Sequence, residues 1–336
     1  MSISDLNFFA SANSGRGFVS FYEEIFKGLK KHYIIKGGPG TGKSSLMKAV
    51  AKEAEKRTMT VEKFYCSSDP NSFDGIIIKE LSVGITDGTS PHTADPKYPG
   101  LTDEIINLSD YWNKNILKDY YEQIVFSADQ KKQLYIDTYL CLNAALTMDT
   151  MIQRALLNAT DTQALCSLAR SYTEVLPIRR GKTCIRLIDG ITMKGYRKFE
   201  PYKNEANIVY NLKDTYGIGH LFLSHILKIL YDCEVTVSYD ALDSKKVNML
   251  YLPTDKILFI LNGNCGEEIY LDDFISSSFI PHNTAMTRKE SLMSDAYSLL
   301  AKIEKEHFEL EKIYISAMDF ALKEEYQNKL IKELFS

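Results

Sequence analysis

Gly37-Gly38-Pro39-Gly40-Thr41-Gly42-Lys43-Ser44 sets a lysine and a hydroxyl directly behind a glycine-rich turn, in the pattern Gly-x-x-x-x-Gly-Lys-Ser. Residues of these types in this order suit an anion. The glycines let the backbone curl so that successive N–H groups face one point, and the N-terminus of a following helix adds its dipole there. The lysine then reaches the outer phosphates of a nucleoside triphosphate, and the hydroxyl ligates Mg²⁺. The expectation is a site for ATP with Mg²⁺ formed by Gly37, Gly38, Pro39, Gly40, Thr41, Gly42, Lys43, Ser44 and Ser45, with Lys43 catalytic and Ser44 on the metal.

Such chemistry needs a carboxylate to hold the metal through its water shell. Ser82-Val83-Gly84-Ile85-Thr86-Asp87-Gly88 is an apolar strand ending in an acid, so Asp87 takes that role, both catalytic and as a metal ligand. His92 follows closely enough to face the terminal phosphate and is a third catalytic candidate. No glutamate follows Asp87 directly, which leaves Asp69, Glu80 and His92 as bases for an attacking water. Arg16, Arg179, Arg180 and Arg186 are the arginines placed to neutralise developing charge.

The elements that would position these groups read from apolar periodicity. Tyr33-Ile34-Ile35 predicts a buried strand into the loop, and 44–56, with Leu46, Met47, Val50 and Ala54 at helical spacing, a helix out of it. A strand over 6–12, a turn at 13–17 and a helix over 18–31 precede them; the aromatic face of that helix could pack or stack a purine. A strand over 60–66 ends in the polar loop Ser67–Ser72, where parallel α/β sheets carry ligands. The proline-rich 95–100 is loop. From Asp103 to about Ser171 neither proline nor glycine occurs, and the spacing predicts two or three long helices in an antiparallel hairpin at about 101–178. That hairpin could cover the nucleotide, form an oligomer contact, or simply pack.

The chain also repeats itself. At one constant offset Lys36 meets Lys213, Gly40 meets Gly217, Gly42 meets Gly219 and Leu46 meets Leu223, while Lys43 meets His220 and Ser44 meets Leu221. Val61–Tyr65 resembles Val235–Tyr239. Val83–Gly88 resembles Leu258–Gly263, so that Asp87 meets Asn262. Pro91-His92 meets Pro281-His282 across an inserted hairpin-like stretch, and Leu134-Tyr135-Ile136 meets Ile313-Tyr314-Ile315. Lysine, hydroxyl and acid are all missing from the second copy, which predicts a productive half at 1–180 and a degenerate half at 181–336. A degenerate copy can act as a structural or regulatory half and lend residues to the active one across a pseudo-twofold axis.

The runs KGGPGTGKSSLMKAV, FYCSSDPNSFDGIIIKEL and DGTSPHTADPKYPGLTDEIINLSDYW resemble a family of uncharacterised bacterial ATP-binding proteins, ATPases built from two tandem P-loop domains. The likeness covers most of 6–180 and is weaker over 181–336, where Gly219-His220-Leu221 departs from Gly-Lys-Ser/Thr. It implies the P-loop NTPase fold and ATP binding: α/β, two tandem repeats, each a mainly parallel sheet flanked by helices. It brings no substrate with it.

At 336 residues, 45% hydrophobic and 25% charged, the chain has the length and composition of two globular cores. A net charge of −4 lacks the basic footprint of a nucleic-acid binder. The six cysteines form no C-x-x-C pair and read as reduced thiols of a cytoplasmic protein. No apolar run reaches the roughly 18 residues that cross a bilayer, so no membrane is expected. The first functional expectation is an ATPase that drives a change between its halves, with a nucleotide and some protein or small molecule as partners. A small-molecule or nucleotide kinase is the alternative, although only Arg154 and Arg170 occur in 101–178 to close on phosphates. A nucleotide sensor without turnover is the third.

Overall fold

The computed structural model describes residues 6–89, 95–174, 176 and 180–336. The chain opens with β1 (Asn7–Phe9), the hairpin β2 (Ser11–Ser14) and β3 (Gly17–Ser20), and a single turn α1 (Tyr22–Ile25). The helix expected over 18–31 is therefore mostly absent: Phe18 and Val19 pair with Asn13 and Ala12 across the hairpin, and Tyr22 and Phe26 stack on one another in a core. Tertiary pairing has overridden the helical spacing of the aromatics.

Strand β4 (Lys31–Lys36) leads into the glycine loop and α2 (Lys43–Lys56), followed by β5 (Val61–Tyr65), β6 (Phe73–Ile78), β7 (Val83–Asp87) and β8 (Asp103–Asn107). These strands form one six-stranded sheet, ordered β1-β5-β6-β7-β4-β8. β1–β5, β7–β4 and β4–β8 are parallel, whereas β6 runs antiparallel to both neighbours. Residues 103–107 are thus an edge strand, not the start of a helix. The short helix α3 (Lys114–Asp119), the long α4 (Tyr121–Ala159) and α5 (Thr162–Glu174) come next.

The second half repeats this order. It runs β9 (Thr183–Ile185), the hairpin β10 (Asp189–Thr192) and β11 (Gly195–Lys198), β12 (Ile208–Lys213), α6 (Gly219–Ile229), β13 (Val235–Tyr239), β14 (Val247–Leu252), β15 (Ile257–Leu261) and β16 (Glu267–Tyr270). The sheet order β9-β13-β14-β15-β12-β16 matches the first sheet strand for strand. The long α7 (Asn283–Ala317) and α8 (Phe320–Leu334) close the chain.

Central strands such as β6 and β14 are buried at every position because both faces are covered. On one side each sheet packs its own helix, through Leu46, Met47 and Val50 in the first half and Phe222, Leu223 and Ile226 in the second. On the other side the two sheets meet each other, with Phe8, Phe64 and Ile77 against Ile188, Met249 and Ile260. Backbone bonds between Phe9 and Leu187 join the halves there.

The long helices are exchanged rather than folded into hairpins. α4 lies along α7, α5 continues onto α6 of the second half, and α8 onto α2 of the first. Short bridges seal the exchange, Thr160 with Ile275 and Trp112 with Met318. Their C-termini, Ala159 and Ala317, are the matching points of α4 and α7. Counted back from there, Lys131 corresponds to Lys289, Tyr135 to Met293 and His307 to Asp149. The match of Leu134–Ile136 to Ile313–Ile315 is therefore out of register.

Two other sequence matches shift. Ile35 pairs with Asp87 and Leu212 with Leu261, so the counterpart of Asp87 is Leu261, and Asn262 answers to Gly88. The stretch 264–274 is no insertion, since β16 and the 3-10 turn Leu271–Phe274 answer to β8 and the turn Leu108–Tyr111. Pro281-His282 follows that turn while Pro91-His92 precedes its equivalent, so the two are unrelated.

Candidate functional site

β4 ends at Lys36, and the chain then turns through Gly40 at φ +70° and Gly42 at φ +82°, both in the left-handed region that favours glycine, before α2 begins at Lys43. Gly42 supplies no side-chain cap and the first turn of α2 carries no acid, so its N-terminal dipole is unneutralised. The Lys43 ammonium donates to the carbonyls of Gly37 (2.8 Å) and Gly38 (2.7 Å) and lies 3.5 Å from Asp87 Oδ2. Asp87 Oδ1 accepts the N–H of Thr89, whose hydroxyl donates to Gly37 O. Ser44 Oγ accepts the N–H of Phe73.

Lys43, Ser44 and Asp87 thus come together, as expected from sequence, on a cavity of about 340 Å³. Pro39, Gly40, Thr41, Gly42 and Ser45 line it with them, and so do Ser68, Asp69 and Ser72 of the polar loop after β5. Asp69 is engaged with Asn71 N–H and the Ser72 hydroxyl. Glu80 is elsewhere, accepting the N–H of Thr60. His92 and Arg179 lie outside the described residues.

The other three arginines are placed away from the loop. Arg16 pairs with Asp243 at 3.0 Å, Arg186 with buried Glu62 at 2.7 Å, and Arg180 bridges to Cys233. A cation on the cavity wall from outside the loop is Lys131 on α4, a residue that sequence reasoning missed. Its Nζ lies 3.1 Å from His307 Nδ1 on α7, and His307 Nε2 lies 3.5 Å from Glu311. Burial pulls the Lys131 ammonium below the usual lysine range, Glu311 opposes this, and the nearby charge of Lys43 adds to it.

α7, from the second half, touches the loop itself. A side-chain carbon at Gly38 would lie 3.1 Å from the Tyr314 ring and 3.2 Å from Trp112, and one at Gly40 would lie 2.9 Å from Glu311 O. Lys323 of α8 donates to Ser45 Oγ at 3.0 Å. Met193, in the β10–β11 hairpin, donates its N–H to Ser68 O on the same wall. Only the unusual length of α7 could have signalled this, and length alone does not name the surface a helix covers.

The equivalent place in the second half is closed. Where Gly37 follows Lys36, Asp214 follows Lys213, and its carboxylate accepts the N–H groups of Gly217 (2.7 Å), Ile218 (2.9 Å) and Gly219 (2.7 Å). An internal anion occupies the nest at the head of α6. His220 stands for Lys43 and bonds Gly217 O.

No helix among the described residues is long and apolar enough to cross a membrane. Comparisons with models of protein families, with curated proteins and with solved structures give no match to this chain.

Proposed function

We propose that the chain is a Mg-dependent ATP-binding protein of the P-loop NTPase fold, an ATPase whose first half works and whose second half responds. One contrast carries the reading: the loop before α2 is open and lined by Lys43 and Asp87, whereas its structural twin before α6 is filled by Asp214. A triphosphate fits the first because the uncapped helix start and the lysine both call for negative charge. Mg²⁺ would be held through Ser44 and Asp87 and would neutralise charge on the outer phosphate oxygens.

The chain's own groups divide the remaining work. Lys43 exchanges its two carbonyl contacts for phosphate oxygens. Lys131, already desolvated, supplies positive charge from the side facing the loop, the part an arginine finger takes in related chemistry. Asp69 is the sequence-expected base that lies on the cavity wall. Because the Glu311 carbonyl packs against Gly40, a shift of the loop on binding or hydrolysis displaces α7, whose first turns line the second half's cavity.

The test is ATP binding by calorimetry and phosphate release with Mg²⁺, for the native chain and Lys43→Ala. Slow release abolished by Lys43→Ala supports the proposal. Release that requires consumption of an acceptor would replace it with a kinase, and binding without turnover with a sensor.

A further inference from the structure

A larger cavity than the one at the glycine loop, about 690 Å³ against about 340 Å³, lies in the second half beside the nest that Asp214 fills. Its walls come from β10, β11, the strand ends around Asp240 and Asn248, and the C-terminal end of α4 and start of α7. A phosphate is poorly suited to it, because Asp214 already fills the nest at the head of α6.

Asp189 and Asn248 lie on the wall at 3% and 6% exposure, so both are buried beyond nine-tenths. Asp189 Oδ2 accepts the Asn248 amide at 2.9 Å and the Tyr196 hydroxyl at 2.8 Å. Asp189 Oδ1 and Asn248 Oδ1 are buried acceptors with no hydrogen-bond partner among the described residues. A buried acceptor without a donor is costly, so each of these oxygens gains from a donating ligand once its side chain turns toward the cavity.

The charges decide which donor. Asp240 lines the same cavity close enough for its charge to act on Asp189. The lysines present are already engaged: Lys246 and Lys289 both hold Asp149, and Lys198 donates to the carbonyls of Leu261 and Asn262. Lys198 acts on Asp189 through its charge, while its hydrogen bonds go to those carbonyls. A metal ion is disfavoured, since among the described residues no group of three or more His, Cys, Asp or Glu could hold one. Ile191, Leu242, Met286 and Met293 give the wall an apolar part, beside polar groups that include Gln153, Thr215, His220 and Glu290.

We infer that this second cavity binds a small organic cation, a primary ammonium on a short apolar body, with the ammonium donating to Asp189 and Asn248 and the body against Ile191, Leu242 and the two methionines.

Calorimetry and thermal unfolding of the full chain with n-butylammonium and 1,4-diammoniobutane test this, with 1-butanol and butyrate as controls and no nucleotide present, so that the outcome is independent of the ATPase reading. Expected is saturable binding and a raised melting temperature with the ammonium probes alone, with affinity lowered about tenfold or more by Asp189→Asn. That variant still offers an oxygen to Tyr196 and Asn248 and should fold; Asp240→Asn is the second variant and should weaken binding in the same direction. Butanol binding as well as butylammonium, ammonium binding unaffected by both variants, or no ammonium binding to the folded chain would each overturn the inference.

Discussion

Asp214 occupies in the second half the position of Gly37 in the first, and its carboxylate takes the three N–H groups that its own half would otherwise turn toward a phosphate. It is a built-in stopper as well as a helix cap. Asp214→Ala is expected to lower the unfolding free energy by about 2 kcal/mol, at the upper end for loss of a cap, measured by denaturant titration. It should not create a second ATP site, because His220 still stands in the place of Lys43. Calorimetric stoichiometry for ATP stays that of the native chain.

Lys131 and Lys43 face one cavity from different elements, and only Lys43 belongs to the glycine loop. If Lys131 stabilises the charge that develops during hydrolysis, Lys131→Met lowers kcat by about 100-fold while KM changes little. Burial holds its ammonium below the usual lysine range, so phosphate release by the native chain should fall on the alkaline side earlier than an ordinary lysine would allow. A pH–rate profile of the residual Lys131→Met activity lacks that limb. Equal profiles, or a rise in KM at unchanged kcat, would assign Lys131 to binding or packing instead.

The glycine loop, its strand, its helix and Asp87 were legible in the sequence because each rests on a local pattern: a short apolar run into the loop, helical spacing out of it, and an acid at a strand end. The duplication was legible for a similar reason, but its register slipped wherever gaps differ, and Asp87 was matched to Asn262 when the ladder pairs it with Leu261's position. The exchange of α4 and α7 could not be read, since an apolar stripe reports that a helix is covered and not by what. Lys131, His307 and Lys323 reach the loop only through that exchange, and each taken alone in sequence is one charged residue on a helix. Phe18–Phe26 misled because aromatics on a hairpin and a single turn can imitate helical spacing when both pack into one core.

Glu62 and Arg186 lie in different halves and form a buried pair, with Lys79 on the other carboxylate oxygen at 3.2 Å. Burial alone would raise the Glu62 carboxyl, but the charges of Arg186 and Lys79 outweigh it and hold its pKa below the ordinary value. Its stabilising contribution is therefore present above the usual glutamate range and is lost as pH falls through the lowered folded value. Arg186→Ala leaves the buried carboxylate with Lys79 alone and should cost about 3 kcal/mol, the low end for breaking a buried pair. Phosphate release per folded molecule is unchanged, which separates this structural arginine from a catalytic one. Denaturant unfolding paired with activity normalised to folded protein checks both halves of the prediction.

Asp189 gives the opposite pH dependence. Burial, then the neighbouring charge of Asp240, pushes its carboxyl up to about 7. The folded chain thus keeps a proton that the unfolded chain releases near pH 4, and stability from this site is full below about 4 and declines until about 7, by at most about 1.4 kcal/mol for each pH unit between. Asp189→Asn retains an acceptor for Tyr196 and Asn248 and removes the titration, so the variant's melting temperature relative to the native chain should climb steadily across that window and level above it. Thermal unfolding of the two proteins at matched ionic strength from pH 4 to pH 8 reads this directly. A constant offset between the curves would mean that Asp189 is already ionised in the folded chain at low pH. In that case a cation or ordered water, and not a proton, satisfies its second oxygen.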